Sequence, residues 1–417
     1  MARLHLTETD EAMLAGQHGP AVAMAMRIVT GMARATDAEA LLHVSSAHID
    51  GCLYHGTAGL DFAERLVALD ARVRIPSTLN VSSLDLLHPE LIRADTETQQ
   101  AGRRLMAAYE QMGCRPTWTC APYQLAERPS FGQHIAWAES NAIVFANSVL
   151  GARSDRYGDF IDIAAAITGR APAAGLHLDD NRRARVVYDV SALDARLRAT
   201  DVFFAVLGHL VGFDTGTVVP AILGLDAATE DQLKALGASA ASSGTVGLIH
   251  VVGVTPEAPT LDAALGPLPP ERTVTVTSDR IRAARDELTL CRTDGPLRTV
   301  NLGTPHYSAR QLATLVEVLA GRSVHPDVTL YVNTSRDVLA ASDTAATLAD
   351  LGAQIVTDTC TYVTAILDGA GTAMTDSGKW AHYAPGNLGL DVVFASLEEC
   401  VESAVAGQIL RSESLWS

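Results

Sequence analysis

In the last third of the chain, apolar runs too short for helices recur between stretches with helical spacing. A strand is predicted over Thr273 to Thr277, a helix to Leu290, a strand near Val300 and a helix from Ser308 to Ala320. A strand from Val328 to Val332, a helix from Val338 to Leu351 and a strand from Gln354 to Val356 follow. Such alternation predicts a mostly parallel, doubly wound sheet. The earlier part is less regular. Thr7 and Pro20 open two helices, since a hydroxyl cap with acids behind it and a proline in the first turn both suit a helix start. Leu41 to Ser45 reads as a buried strand emptying into the loop Ser46 to Gly56. A helix from Leu60 to Leu69, a strand Val73 to Pro76 with the polar loop Ser77 to Ser83, and a helix from Glu97 to Met112 come next. His134 to Ser148, apolar with small polar residues interleaved, reads as one buried helix. The proline-rich stretch 256–270 is the expected boundary between two α/β regions, 1–265 and 266–417.

Composition narrows the function. The chain has 417 residues, and its formal charge of −17 comes without any basic run, which disfavours nucleic acid and anionic membranes as partners. A small-molecule site is the remaining expectation. The longest apolar stretch, Val202 to Leu225, is broken by His209 and Asp214 and is no membrane span. Nothing near Met1 resembles an export signal, so a cytoplasmic enzyme is expected, with its six cysteines as thiols rather than disulfides.

Three segments at apparent strand exits carry reactive side chains: the Ser46 to Gly56 loop with His48, Cys52 and His55; Trp118 to Tyr123 with Cys120; and Ile355 to Cys360. Val300 to Ser308, with His306, is a fourth. Groups beyond the carboxyl ends of parallel strands are where open α/β sheets keep their ligands, so these segments are expected to line one central cleft. Cys114 and Cys400 fall on packing positions. Each histidine read alone is a base, a ligand or a hydrogen-bonding loop residue. Arg153, Arg156 and Lys379 lie among glycines and hydroxyls, which suits an anion as well as an ordinary charged surface.

Ser46-Ala47-His48, Ser77-Thr78-Leu79-Asn80, Thr119-Cys120-Ala121-Pro122-Tyr123 and Glu139-Ser140-Asn141-Ala142 resemble the large-subunit region of the aconitase X family. So do Ala146-Asn147-Ser148-Val149-Leu150-Gly151-Ala152-Arg153, Gly303-Thr304-Pro305-His306, Asp358-Thr359-Cys360 and Ser377-Gly378-Lys379-Trp380-Ala381-His382-Tyr383. These motifs keep the family's order across nearly the whole chain. The resemblance implies an aconitase-like, multi-domain α/β fold and an iron–sulfur hydro-lyase that dehydrates a small hydroxy carboxylate. It also implies a separate small swivelling-domain subunit as partner.

Within that resemblance Cys120 and Cys360 are expected metal ligands, with a 2Fe-2S or 3Fe-4S cluster as cofactor. Where many members read Gly-Cys-Pro-His, this chain has Thr304; Cys52 is the expected replacement thiol, with Cys291 second. Ser46 is the first candidate base and His48 or His306 the alternative. Lys379 and Arg153 would hold the carboxylate, and Asn80, Tyr123, Asn147 and Ser148 the rest of the substrate. With few site cations, dehydration of cis-3-hydroxy-L-proline to 1-pyrroline-2-carboxylate is expected over dehydration of mevalonate 5-phosphate. A metal-free enzyme using Cys120 as nucleophile, or a large subunit without catalysis, are the rival readings.

Overall fold

The computed structural model describes residues 4–290, 296–341, 343–367 and 371–416. The chain divides into two compact units, Met1–Leu84 with Ala94–Arg183, and Asp85–Arg93 with Ala184–Ser417.

The first unit has five short strands: β1 (Leu41–His43), β2 (Ala47–Ile49), β3 (Ser77–Leu79), β4 (Ala136–Trp137) and β5 (Arg170–Pro172). β1 pairs antiparallel with β5, while β2, β3 and β4 form a parallel sheet in the order β3-β2-β4. Every residue of β2 is buried, as expected for a parallel strand covered on both faces. Helix Pro20–Ala35 turns Met26, Val29 and Ala33 inward, and helix Ile161–Thr168 buries every residue after its first. Helix Thr96–Gln111 starts where the Asp95 carboxylate accepts the Thr98 amide at 2.7 Å, satisfying one of the end amides that have no partner inside the helix.

Three predicted elements are shifted here. The predicted strand Leu41 to Ser45 stops at His43, and Ser45 turns its amide and hydroxyl to the His134 carbonyl. The strand predicted at Val73 to Pro76 begins instead after Pro76, in Ser77–Leu79, residues whose hydroxyls suggested a loop. There Ser77 bonds back to the Ile75 carbonyl at 2.9 Å and Thr78 meets His48, so the hydroxyls are satisfied inside the sheet. His134 to Ser148 is a strand followed by helix Ser140–Ser148, divided at Glu139, whose carboxylate caps the helix through the Ala142 amide at 2.7 Å.

The second unit carries β6 (Val186–Asp189), β7 (Pro220–Leu223), β8 (His250–Val251), β9 (Arg272–Thr275), β10 (Leu297–Tyr307), β11 (Thr329–Thr334), β12 (Ala353–Val356), β13 (Thr372–Thr375) and β14 (Asp391–Phe394). They form two parallel sheets, β8-β7-β6-β9 and β12-β11-β10-β13-β14, as the alternation predicts. Val300, Leu302, Leu312, Leu330, Val332, Val393 and Cys400 share the core of the larger sheet. The predicted helix Val338 to Leu351 is two, Arg336–Ala340 and Thr344–Asp350. The apolar stretch from Val202 forms helix Asp201–Thr215 and then β7. No helix among the described residues is long and apolar enough to cross a membrane.

Candidate active site

In the first unit the strand order reverses at β2, with β3 on one side and β4 on the other, so the crevice belongs beyond the ends of β2 and β4. Asp50 follows β2 directly, Asn80 follows β3, and Glu139 stands two residues past β4. The Asn80 amide donates to Asp50. Asn141 donates to Glu139 and, at 3.0 Å, to the Cys120 carbonyl, and it accepts from the Tyr123 hydroxyl at 2.6 Å. Tyr123 stacks on Phe145 with ring centres 3.8 Å apart. The Thr119 amide bonds the Leu79 carbonyl, so Cys120 is carried to the same edge beside β3.

This edge is acidic and buried. Burial, then the charges of Glu139 and Asp159, push Asp50 up to about 8, and burial pushes Asp162 up to about 7 although it accepts the Asp50 amide at 2.7 Å. His48 is fully buried and lies 2.8 Å from the Thr78 hydroxyl; burial lowers its pKa to about 4, so its ring is neutral at pH 7. Perturbed groups of opposite tendency at one strand edge mark a candidate acid–base site. Asp50 and Glu139 were not singled out from sequence. Their signal was positional, a carboxyl just past a strand, and needed the correct strand ends.

Other predicted residues of this unit have different settings. Ser46 precedes β2, so it stands at the amino end of the sheet, lining a cavity of about 180 Å³ with Thr78, Arg128 and Trp137. The Cys52 thiol points at the Ile49 and Asn80 carbonyls, each 3.4 Å away, and burial drives its pKa far up, the environment of an inert packed thiol. Asn147 exchanges hydrogen bonds with Ser154 and accepts from Arg182 at 3.2 Å; Ser148 is buried at the end of the same helix. Arg153 pairs with Asp179 and donates to the His177 carbonyl at 3.1 Å. Asn147 and Arg153 thus tie loops together.

In the second unit the strand order of the larger sheet reverses at β10, with β11 on one side and β13 on the other. The motif Gly303 to His306, expected at a strand exit, lies inside β10 where its register against β11 slips between Leu302 and Tyr307. Gly303 has φ +83°, and a side chain there would stand 2.1 Å from the Asn333 carbonyl, so only glycine fits. The slip leaves His306 fully buried, with Nε2 3.0 Å from the Thr359 carbonyl.

Cys360 sits in a loop held from several sides. Arg336 grips the Asp358 carboxylate with two bonds of 2.5 and 2.6 Å, and Asp85 accepts both the amide and the hydroxyl of Thr357 at 2.8 Å. The Thr361 amide bonds Asn333 at 3.1 Å, and Trp380 donates to the Thr361 hydroxyl at 3.0 Å. As a result, a His306 ring nitrogen and the Cys360 thiol lie within 4.8 Å of each other, both buried. A soft thiol beside an imidazole is a donor set suited to iron or zinc. Cys400 is packed in the core and Cys114 is buried, as expected; Cys291 lies outside the described residues.

Beyond β10 and β13 lies a cavity of about 210 Å³. Lys379, 3% exposed, lines it in the first turn of helix Gly378–Leu388 and places its ammonium 5.9 Å from the Tyr362 ring centre. Gly378 is needed there because a side chain would meet the Ser239 hydroxyl at 2.1 Å.

Comparison with known proteins adds to this geometry. The aconitase X first-domain model matches residues 3–180, the second-domain model 184–286 and the third-domain model 297–406. The chain is 46% identical over 415 residues to cis-3-hydroxy-L-proline dehydratase of Pseudomonas aeruginosa, covering 98% of this chain and 71% of that one. It is 36% identical over 400 residues to the phosphomevalonate dehydratase large subunit of Methanothermobacter thermautotrophicus, covering 94% and 97%. The crystal structure of Thermococcus kodakaraensis aconitase X in its holo-form superposes with a TM-score of 0.86 at 32% identity, over 96% of this chain and all of that one.

Proposed function

Because this chain belongs to the aconitase X family, we propose that it is a hydro-lyase that dehydrates cis-3-hydroxy-L-proline to 1-pyrroline-2-carboxylate. The observation that carries this reading is 46% identity along 98% of the chain to a dehydratase of that substrate, against 36% to a large subunit acting on a phosphorylated one. As in the relatives named large subunits, a small second subunit completes the enzyme.

Cys360 and His306 are the proposed donors for an iron–sulfur cluster in the second unit. His306 takes the place first given to Cys52, whose thiol is turned to backbone carbonyls. When bound, such a cluster supplies a Lewis acid for the departing hydroxide. The chain's own residues do the rest. Lys379 holds the substrate carboxylate and withdraws charge from the carbon that loses its proton. Within the first unit, His48, neutral at pH 7, can take up a proton, and Asp50, still protonated there, can give one. Asn80 fixes Asp50, and Tyr123 and Asn141 fix the Cys120 loop.

The test is co-expression with a candidate small subunit, followed by assay of water loss from cis-3-hydroxy-L-proline and from mevalonate 5-phosphate. Turnover of the first alone is expected; turnover of the second alone would move the chain to the other branch of the family. Iron content should vanish in Cys360→Ala and His306→Ala and persist in Cys52→Ala and Cys400→Ala.

A further inference from the structure

The cavity beyond β10 and β13 carries charge of both signs, in an uneven arrangement. Asp231 is matched: Lys234 pairs with it at 3.0 Å, and the Ser308 hydroxyl donates to it at 2.9 Å. Asp201 accepts from the Gln232 side chain at 3.0 Å, a neutral donor. Asp376, the residue after β13, accepts from the Tyr307 hydroxyl, also neutral. Its carboxyl stands at about 6, because burial and the Asp201 charge outweigh the Tyr307 hydrogen bond and the more distant Lys234 ammonium. Asp376 is therefore held by a neutral hydroxyl rather than by a cation, while Asp201 feels the Arg310 charge. The opposite character comes from the N-terminus of helix Gly378–Leu388, with its partial positive charge, and from Lys379 in its first turn.

A second feature points to a ligand at the same place. Thr304 lines the cavity, is only 6% exposed, and its buried hydroxyl has no hydrogen-bond partner. Buried hydroxyls are normally satisfied, so one left without a partner marks a group that a bound molecule would complete. A metal ion does not fit here: among the described residues, no three carboxylates of this cavity bring their oxygens within 4.8 Å of one another. What fits is a molecule with one cationic and one anionic end, together with a hydrogen-bonding group.

We propose that this cavity binds the zwitterion of a small cyclic amino acid, with Asp376 receiving its ammonium and the N-terminus of helix Gly378–Leu388, with Lys379, receiving its carboxylate. This deepens, and rests on, the hydroxyproline reading above. It makes Asp376 a specificity-determining residue: a ligand without an ammonium leaves a buried carboxylate uncompensated, which costs far more than a missing apolar contact.

The test uses ligands that cannot be dehydrated, so binding is read apart from turnover. The purified chain, with its metal and its small subunit, is titrated calorimetrically with L-proline and with tetrahydrofuran-2-carboxylate, the same ring with an ether oxygen in place of the ammonium. Proline is expected to bind at least tenfold more tightly. Asp376→Asn should weaken proline at least tenfold and abolish the preference, and Asp376→Glu should restore part of it. Equal binding of the two rings by the wild type, or an Asp376→Asn protein that prefers proline as strongly as before, would overturn the proposal. Should Asp376→Asn not fold, Asp201→Asn serves the same purpose, with a reduced preference expected and an unchanged one overturning it. Failure of the hydroxyproline reading would be seen separately, as proline bound normally while hydroxyproline is not dehydrated.

Discussion

Asp50 in the first unit and Asp358 in the second occupy similar places, each a carboxyl group just past a parallel strand, and the protein treats them oppositely. Around Asp50 the neighbours are Glu139, Asp159 and Asp162, and with no cation among the leading influences its proton is retained to about pH 8. Around Asp358, whose side chain is fully buried, Arg336 supplies a two-bond guanidinium grip and the Leu86 amide a further bond at 3.0 Å. The difference teaches that a strand end specifies a place for a carboxyl, and that neighbours decide whether it serves as an acid or as an anchor.

The strongest way to break the contrast is Arg336→Leu, which would give Asp358 a setting closer to that of Asp50. Arg336 is 35% exposed but Asp358 is fully buried, so removing the guanidinium leaves a buried carboxylate without its cation, and a loss of about 2 kcal/mol in urea unfolding is expected. Loosening of the Cys360 loop should follow, read as lower iron content. An iron content equal to the wild type would show that Asp85 and Asn333 suffice to hold that loop.

A middle-sized effect is expected from pH. The folded pKa of Asp50 lies above its unfolded value, so the native state holds more protons and stability falls as pH rises from about 4 toward 8; Asp162 acts in the same sense up to about 7. His48 near 4 and His177 near 3 lie below the ordinary histidine value of 6.5, so each withdraws stability as pH falls below that value. Between pH 6.5 and 8 only the carboxyls act, and Asp50→Asn should show a smaller drop in Tm across that window than the wild type. A drop of equal size would place the pH dependence elsewhere.

The smallest effect sharpens the role of Arg153. Its partner Asp179 is 83% exposed, so the ion pair itself is worth roughly 0–1 kcal/mol, and Arg153→Ala should cost about 1 kcal/mol with its carbonyl bond included. KM for the hydroxy acid should change less than twofold. A tenfold rise would restore Arg153 as the carboxylate clamp expected from its motif.

Much of the second unit was legible because its strands are apolar runs between clear helices, and parallel pairing followed. The first unit was harder. Its strands are two or three residues long, and Ser77–Leu79 is polar enough to pass for a loop; only pairing with β2, which lies 30 residues back, makes it a strand. Its strand ends also lie elsewhere than the apolar pattern suggests. Ser46 looked like a strand exit and proves to be an entrance, while Asp50, four residues on, holds the exit. The thiol, histidine and lysine motifs were visible as residue types, but the partners that decide their roles come from distant segments. Arg336 and Tyr307 carried no local signal at all.

The short excursion of residues 85–93 into the second unit bears on how the chain is made. Asp85 leaves the ribosome 272 residues before Thr357, whose amide and hydroxyl it will accept. Closing a loop of that length costs roughly 5 kcal/mol in chain entropy by the logarithmic rule, so this contact forms only once other parts of the second unit have gathered. The chain of the first unit is thus interrupted by a segment that belongs to the second. No single cut separates the two units, and a fragment ending at Arg183 would display residues 85–93 with none of the surface that receives them.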